Sequence, residues 1–352
     1  MKIIPCWLVV LVLFLSAAQP ILAQVAPAER AAAKASIQQA VASGDLRRGY
    51  DTYDRFVAAS RRPDAELLSP LAADELRAVA ARAVSDPRLQ IEAWERLARY
   101  GDAQAPAELE RMASQRPDSP VAALANGALA RLGDASAAAR LAAMASSSRL
   151  QDKSSIVEAI RRSGLRDQAQ VLVPLLQDPD WATRSETADA LGALGYKAAI
   201  PEIRLLLSDD EPRVRASAAL ALMRLEDPAA TTRAEAMLRS NVGTARLDAL
   251  EANPLSDRGD VAAAARQLAA DPDPFNRARA AEALASDDPA AALAILRRVA
   301  EEQDSTARRL AARGLAVLRP PDLALLRRLL EDNAGWVRMY AAGGVLAAAA
   351  GK

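Results

Sequence analysis

The chain has 352 residues, with 45 basic and 45 acidic side chains that give a formal net charge of zero, and it contains no histidine and one cysteine. These counts exclude Ser-His-Asp and Cys-His relays, zinc sites built on histidine, and a disulfide framework. Because charges of both signs are interspersed without a basic stripe, the sequence also argues against a nucleic-acid partner.

Residues 1–23 have the layout of a secretory signal peptide. Lys2 precedes an apolar run that extends to Ala18, and a short small-residue stretch ends at Ala23. This order predicts export with cleavage after Ala23, while cleavage after Ala18 or retention as an anchor are the alternatives. The mature chain is then expected to be periplasmic or secreted, and no later apolar stretch is long enough to span a membrane.

Residues 24–64 are predicted to form a helical cap, because they contain two helices that follow no repeat period. From residue 65 to residue 352 a period does emerge. Basic residues stand 31 positions apart, and the last follows after 30; they are Lys153, Arg184, Arg215, Arg246, Arg277, Arg308 and Arg338. A fixed interval of this size predicts a stack of similar supersecondary units.

The unit at residues 196–226 shows what each repeat contains. Alanine and leucine dominate it, which favours helix, and an acidic turn separates a first helix from a second that opens at Pro212. A small residue followed by leucine recurs six and seven positions after the periodic arginine, as at Ala221 and Leu222. The pattern predicts an all-α solenoid of about nine antiparallel helix pairs, forming a curved rod behind the N-terminal cap.

Carboxylates remain as candidates for acid–base chemistry or for binding hard metals. Asp209 to Glu211 is one such group, but these groups recur just before second helices, where capping explains them. We therefore predict no catalytic residue, no metal ligand and no cofactor.

The repeats resemble HEAT repeats in the short bacterial form of the phycobilin-lyase type. An aspartate six residues before the arginine, the small-leucine pair and the proline-opened second helix carry this resemblance. It implies a ladder of aspartate–arginine contacts between neighbouring units. Its members would be Asp178, Arg184, Asp209, Arg215, Asp271, Arg277, Arg308, Asp332 and Arg338. Ser147 and Ser240 replace the aspartate in two units, where the ladder is not expected to be complete.

The second helices of such arrays line the concave side, which gives a candidate binding face. Helical period places positions two and five after the arginine on this face. The candidates are Glu186, Asp189, Leu220, Arg279, Glu282, Leu310, Arg313 and Tyr340.

The sequence favours an exported, non-catalytic scaffold that binds a protein or peptide along this face. One alternative is a structural envelope component that self-associates through its ends, since residues 340–350 are almost all small and apolar. A lyase-like enzyme, by analogy with the phycobilin lyases, is the other alternative.

Overall fold

The computed structural model describes residues 27–145, 153–230, 236–237, 243–253 and 256–351. The predicted signal peptide, Ser147 and Ser240 lie outside these ranges. The described residues form helices and turns and contain no strand, which confirms the predicted all-α class. None of the described helices is long and apolar enough to cross a membrane. The chain divides into a first unit that ends at Leu71 and a second from Ala72 onward.

The first unit contains α1 (Pro27–Ala42), α2 (Leu46–Ser60) and the start of α3 (Ala65–Arg82). This unit ends at Leu71, within α3, whereas the cap was predicted to end at residue 64. Tyr53 is buried here and accepts a hydrogen bond from the backbone N–H of Asp64. Asp64 also pairs with Arg30, which ties α1 to the start of α3.

Most helices in the second unit alternate between first and second members of a repeat. After the remainder of α3 they are α4 (Pro87–Arg99), α5 (Ala105–Gln115), α6 (Pro120–Arg131), α7 (Ala135–Ala145), α8 (Lys153–Ser163), α9 (Trp181–Ala193), α10 (Ile200–Leu205), α11 (Pro212–Arg224), α12 (Gly243–Ala252), α13 (Arg258–Leu268), α14 (Pro274–Leu284), α15 (Pro289–Val299), α16 (Ser305–Val317), α17 (Leu323–Leu329) and α18 (Gly335–Ala349). Tighter 3₁₀ turns stand before α9 at Arg166–Gln177 and after α10 at Leu206–Ser208. The 3₁₀ segment before α9 takes the place of a first helix, and residues 231–235 and 238–242 before α12 lie outside the described ranges.

Proline and aspartate set many of the helix starts. Asp86 and Asp288 each accept a backbone hydrogen bond from the first turn of the helix that they precede, and proline follows each of them. Proline is favourable there because its missing N–H would have had no helical partner. The prediction that Glu211 caps α11 is wrong, since its side chain makes no cap hydrogen bond. Asp209 instead accepts from the Glu211 N–H and forms an ion pair with Arg184.

Two positions near the end of α9 require glycine, each for a different structural reason. Gly195 has a φ of +68°, the left-handed conformation that commonly ends a helix. A Cβ added at Gly192 would lie 2.7 Å from the Cα of Ala221 on α11. Gly192, which follows the predicted small-leucine pair of its own helix, and Ala221, a predicted small residue, thus bring two second helices into close backbone contact.

Each second helix packs on the second helix of the next repeat. The series runs through α4, α6, α8, α9, α11, α12, α14, α16 and α18. The last member, α18, also contacts α4. Within the second unit, the turn contributed by each repeat accumulates until the last repeat meets the first, a closure that the predicted curved rod did not include.

Candidate functional site

The predicted ladder residues meet across neighbouring repeats. Arg184 donates to both carboxylate oxygens of Asp209 at 2.8 and 2.9 Å, and Arg308 donates to those of Asp332 at 2.7 and 3.1 Å. Each acidic partner belongs to the following repeat, 24 or 25 residues further on. Each of these carboxylates is mostly buried and has a pKa below its ordinary value. For Asp209 the main cause is the hydrogen bonds from Arg184. For Asp332, burial is the largest effect and raises the pKa, but the hydrogen bonds from Arg308 and the Ala334 N–H, together with the charges of Arg308 and Arg338, outweigh it.

Two positions of the ladder use other residues. Lys153 donates to Asp178 at 2.6 Å, so a lysine replaces the arginine in that repeat. Arg277 pairs with Glu302, so a glutamate replaces the aspartate. Asp271 accepts a hydrogen bond from the Asp273 N–H.

A second set of contacts holds each arginine to its own repeat. Nη1 of Arg215 donates to the backbone carbonyls of Asp209 and Asp210, which lie six and five residues before it. The same arrangement occurs at Arg184, Arg277, Arg308 and Arg338. Each periodic arginine thus binds the backbone carbonyl of the acidic position six residues before it. The side chain at that acidic position can then bind the arginine of the preceding repeat.

The last arginine of the period pairs with the beginning of the second unit. Arg338 donates to Glu75 at 2.6 Å, although 263 residues separate them in the sequence. Trp336 donates its indole N–H to Asp86 at 2.8 Å, and the guanidinium of Arg96 lies 4.5 Å from the ring centre of Tyr340. We name these interactions the closure contacts.

Beside the closure contacts lies a cavity of about 600 Å³, which we name the closure pocket. Its walls come from α4, α6, α8, α16 and α18, together with Tyr100 and Arg319. Seven arginines line it: Arg96, Arg99, Arg131, Arg161, Arg162, Arg313 and Arg319. Only three carboxylates line it, from Glu92, Glu95 and Glu158, which leaves a net charge of +4 on the lining.

Two mostly buried glutamates organise these arginines. Glu92 binds Arg162 at 2.7 Å and Arg96 at 3.1 Å, and Glu95 binds Arg131 at 2.8 Å. Burial raises the pKa of Glu92, but Arg162 and Arg96 outweigh that effect and hold its pKa below the ordinary value. Both glutamates therefore form ion pairs inside an arginine cluster.

Arg131 shows the effect of crowding like charges in this cluster. Burial is the largest contribution that lowers its pKa to about 10, and the neighbouring Arg162 adds to the decrease. Its buried Nε atom has no hydrogen-bond partner among the described residues. An anion entering the pocket would supply the missing negative charge.

The predicted concave residues occupy the second helices, and several form pairs between neighbours. Glu282 on α14 binds Arg313 on α16, Arg279 binds Asp248 on α12 at 3.0 Å, and Asp189 on α9 binds Arg224 on α11. Glu186 is exposed, whereas Leu220 and Leu310 are half-buried. Arg313 and Tyr340 line the closure pocket, and the other six predicted residues lie elsewhere on the second helices.

Most residues of the closure pocket were not predicted. Arg162, for example, lies 2.7 Å from Glu92 and 3.5 Å from Glu158 on its own helix. The sequence did contain a signal: Arg99, Arg131 and Arg162 stand 32 and 31 residues apart, which is the repeat period. Arginines at one register on three consecutive second helices share a face, and that face forms the pocket wall.

No cluster of three potential metal ligands occurs among the described residues. The pocket instead offers guanidinium groups, which bind carboxylate or phosphate oxygens through paired hydrogen bonds. The expected apolar C-terminal surface is covered within the chain, since residues 341–347 are buried and α18 packs on α16, α17 and α4.

Two solved structures illustrate what the chain resembles. The structure of human deoxyhypusine hydroxylase in complex with glycerol is 20% identical, covers 78% of this chain and 96% of that chain, and has a TM-score of 0.35. A crystal structure of an engineered protein is 18% identical, covers 77% and 94%, and has a TM-score of 0.25. No match is found among the curated proteins.

The family comparison agrees with the repeat geometry. The family model for HEAT repeats matches residues 169–252 and 261–347. These ranges contain the ladder pairs of Arg184, Arg277 and Arg308 and the close contact at Gly192. Across these two ranges the chain belongs to the HEAT repeat family, and its described helices form an all-α solenoid.

Proposed function

We propose that this protein is an exported, non-catalytic scaffold that binds a protein partner on the surface of its second helices. The observation that carries the proposal is the uninterrupted series of second helices from α4 to α18. Repeat arrays present such surfaces to partners, and they do so without a chemical site. The layout of residues 1–23 supports the export part of the proposal.

Charged side chains give this surface its specificity. Glu186 adds an exposed negative charge to α9, where Asp189 is already paired with Arg224, whereas the closure pocket is strongly basic. A partner that contacts both regions must present complementary charge to each, and a wrong partner meets like charge in at least one of them.

Site-specific photo-crosslinking tests the proposal. A photoreactive residue is introduced at Glu186 or Leu310, which lie on second helices outside the closure pocket, and the matched control position is the exposed Ala294 on the first helix α15. After irradiation of the native envelope fraction, we expect one discrete protein adduct from the first two positions and none from Ala294. Adducts of equal yield from all three, or absence of the protein from that fraction, would contradict the proposal.

A further inference from the structure

We infer that the closure pocket binds an acidic segment of the partner, with arginine side chains contacting its carboxylates. This inference rests on the proposed function, because it names the chemistry of the partner. It concerns residues of α4, α6, α8, α16 and α18, where the first and last repeats meet.

The first argument is the charge balance of the lining. Glu92 already accepts hydrogen bonds from two arginines. Glu95 accepts a hydrogen bond from Arg99 at 2.5 Å and also forms an ion pair with Arg131. The remaining carboxylate, Glu158, also pairs outside the pocket with Arg88 at 2.9 Å. Even with Arg313 set against its own partner Glu282, the remaining arginines of the lining outnumber these glutamates. The glutamates therefore cannot neutralise all of them, and the excess charge favours a bound anion.

The second argument is the hydrogen-bonding capacity that remains. Nε of Arg131 is buried without a partner among the described residues. Arg161 is exposed on the same wall, and the part of the chain that the structure describes gives it no carboxylate partner. These two groups are on α6 and α8, so one ligand that contacts both must reach across neighbouring repeats.

The third argument is the mixed chemistry of the walls, which favours a peptide over a bare inorganic anion. Tyr100 and Val317 supply apolar contact area beside the arginines, and Val317 is 63% exposed. A volume of about 600 Å³ falls inside the range of roughly 300–1,000 Å³ that is usual for ligand sites. Carboxylates beside an apolar side chain match this lining, and guanidinium groups pair with carboxylates in a bidentate geometry.

Fluorescence anisotropy with the purified full-length protein tests the inference. The probe is a labelled peptide with four glutamates and one leucine, and its matched control has glutamine at the four positions. We expect saturable binding of the first peptide, weakening steeply as salt is raised, and at least tenfold weaker binding of the second.

The variant R161Q/R313Q addresses the site directly. It removes two pocket cations whose loss leaves the Glu92–Glu95 cluster intact, since Arg313 pairs with Glu282 and is 46% exposed. We expect about tenfold weaker binding of the glutamate peptide, as for the loss of charge-assisted hydrogen bonds. The matched control R298Q/R328Q removes two exposed arginines outside the pocket, of which Arg328 also pairs with a glutamate, and it should bind as the wild type does.

Competition separates the possible sources of the anion. Equal weakening by both double variants, equal binding of the two peptides, or no binding would each overturn the inference. The inference would also be overturned if citrate or inorganic phosphate bound the wild type as tightly as the peptide does and bound R161Q/R313Q more weakly. The pocket would then serve a small anion. If crosslinks form at Glu186 while the glutamate peptide fails to bind, this inference fails and the proposed function stands. If the peptide binds while no crosslink forms, the pocket stands and the proposed function fails.

Discussion

Each ladder arginine binds two kinds of acceptor with one planar guanidinium. Nη1 of Arg184 donates to the carbonyls of Asp178 and Pro179, while Nε and Nη2 donate to Asp209. The group thus joins the turn of its own repeat to the turn of the next. Lysine presents a single point charge without this fork, which is why a ladder position needs arginine to make both sets of contacts in this geometry.

Replacing Asp209 by asparagine tests the strength of one ladder contact. The side chains of Arg184 and Asp209 are 16% and 8% exposed, so we expect a loss of about 1–2 kcal/mol in the free energy of unfolding at pH 7, between the values for exposed and buried pairs. Chemical denaturation measures it. The matched variant E226Q, which breaks the exposed Lys197–Glu226 pair, should change stability much less.

The same contact predicts a pH dependence. Hydrogen bonds from Arg184 hold the pKa of Asp209 below its usual value of 3.8. The stability that this depressed pKa contributes is fully present above pH 3.8 and is lost as the pH falls through the folded-state pKa. The difference in unfolding free energy between wild type and D209N should therefore shrink below about pH 4. A difference that stays constant to lower pH would show that the carboxylate charge is not what Asp209 contributes.

At the residue scale the sequence predicts the ladder's members better than its pairing. The six-residue spacing of aspartate and arginine is a local feature, and it predicts which residues repeat. The actual side-chain partner lies 25 residues away, as for Arg184 and Asp209, because the helix pair between them returns the chain to the same edge. Glu302 in place of an aspartate is accepted because only the position of the carboxylate matters.

At the scale of the element, close packing of the second helices depends on glycines, which have no side chain. A Cβ at Gly192 would lie 2.7 Å from the Ala221 Cα, and a Cβ at Gly127 on α6 would lie 2.9 Å from the Ala159 Cβ on α8. The sequence predicts this closeness through its recurring small-leucine pair. It does not predict which small position is in backbone contact, because that depends on the crossing of two helices.

Gly192→Ala separates helix propensity from helix packing. Alanine in a helix interior is favoured over glycine by about 1 kcal/mol, so propensity alone predicts a more stable protein. We expect the opposite, a loss of about 1–3 kcal/mol, because the backbone of Ala221 must move to admit the methyl group. Thermal denaturation gives the sign of the change. Gly343→Ala is the control, since its Cβ would meet only the flexible side chain of Arg96, and it should be tolerated better.

At the scale of the second unit, no local sequence pattern predicts that the last repeat contacts the first. The partners of Trp336 and Arg338 are Asp86 and Glu75, which precede them by 250 and 263 residues. A repeat period predicts that units stack, but their number and the rotation between them decide whether the last reaches the first. The period alone predicts a curved rod, and the accumulated rotation could not be inferred from it.

Closure places buried charge where the two ends meet. Burial raises the pKa of Glu75, although Arg338 opposes this effect. A carboxylate that is harder to ionise in the folded protein weakens the folded state as the pH rises through its titration range. Arg338 limits that cost, so the closure contacts are maintained by this charge pair together with the hydrogen bond from Trp336 to Asp86.

Trp336→Ala should therefore loosen a helix that lies far from it in the sequence. The substitution removes the hydrogen bond to Asp86, at the start of α4, and the ring that stacks on Tyr340. Hydrogen exchange measured by mass spectrometry should become faster over residues 87–99, because α4 loses one of its contacts with α18. The matched control is Trp181→Ala, which removes a tryptophan at the start of α9 that contacts Arg213 and not α4. That variant should leave exchange over residues 87–99 unchanged. Equal acceleration by both substitutions would indicate general destabilisation, and no acceleration by Trp336→Ala would mean that α4 does not depend on α18 for its stability.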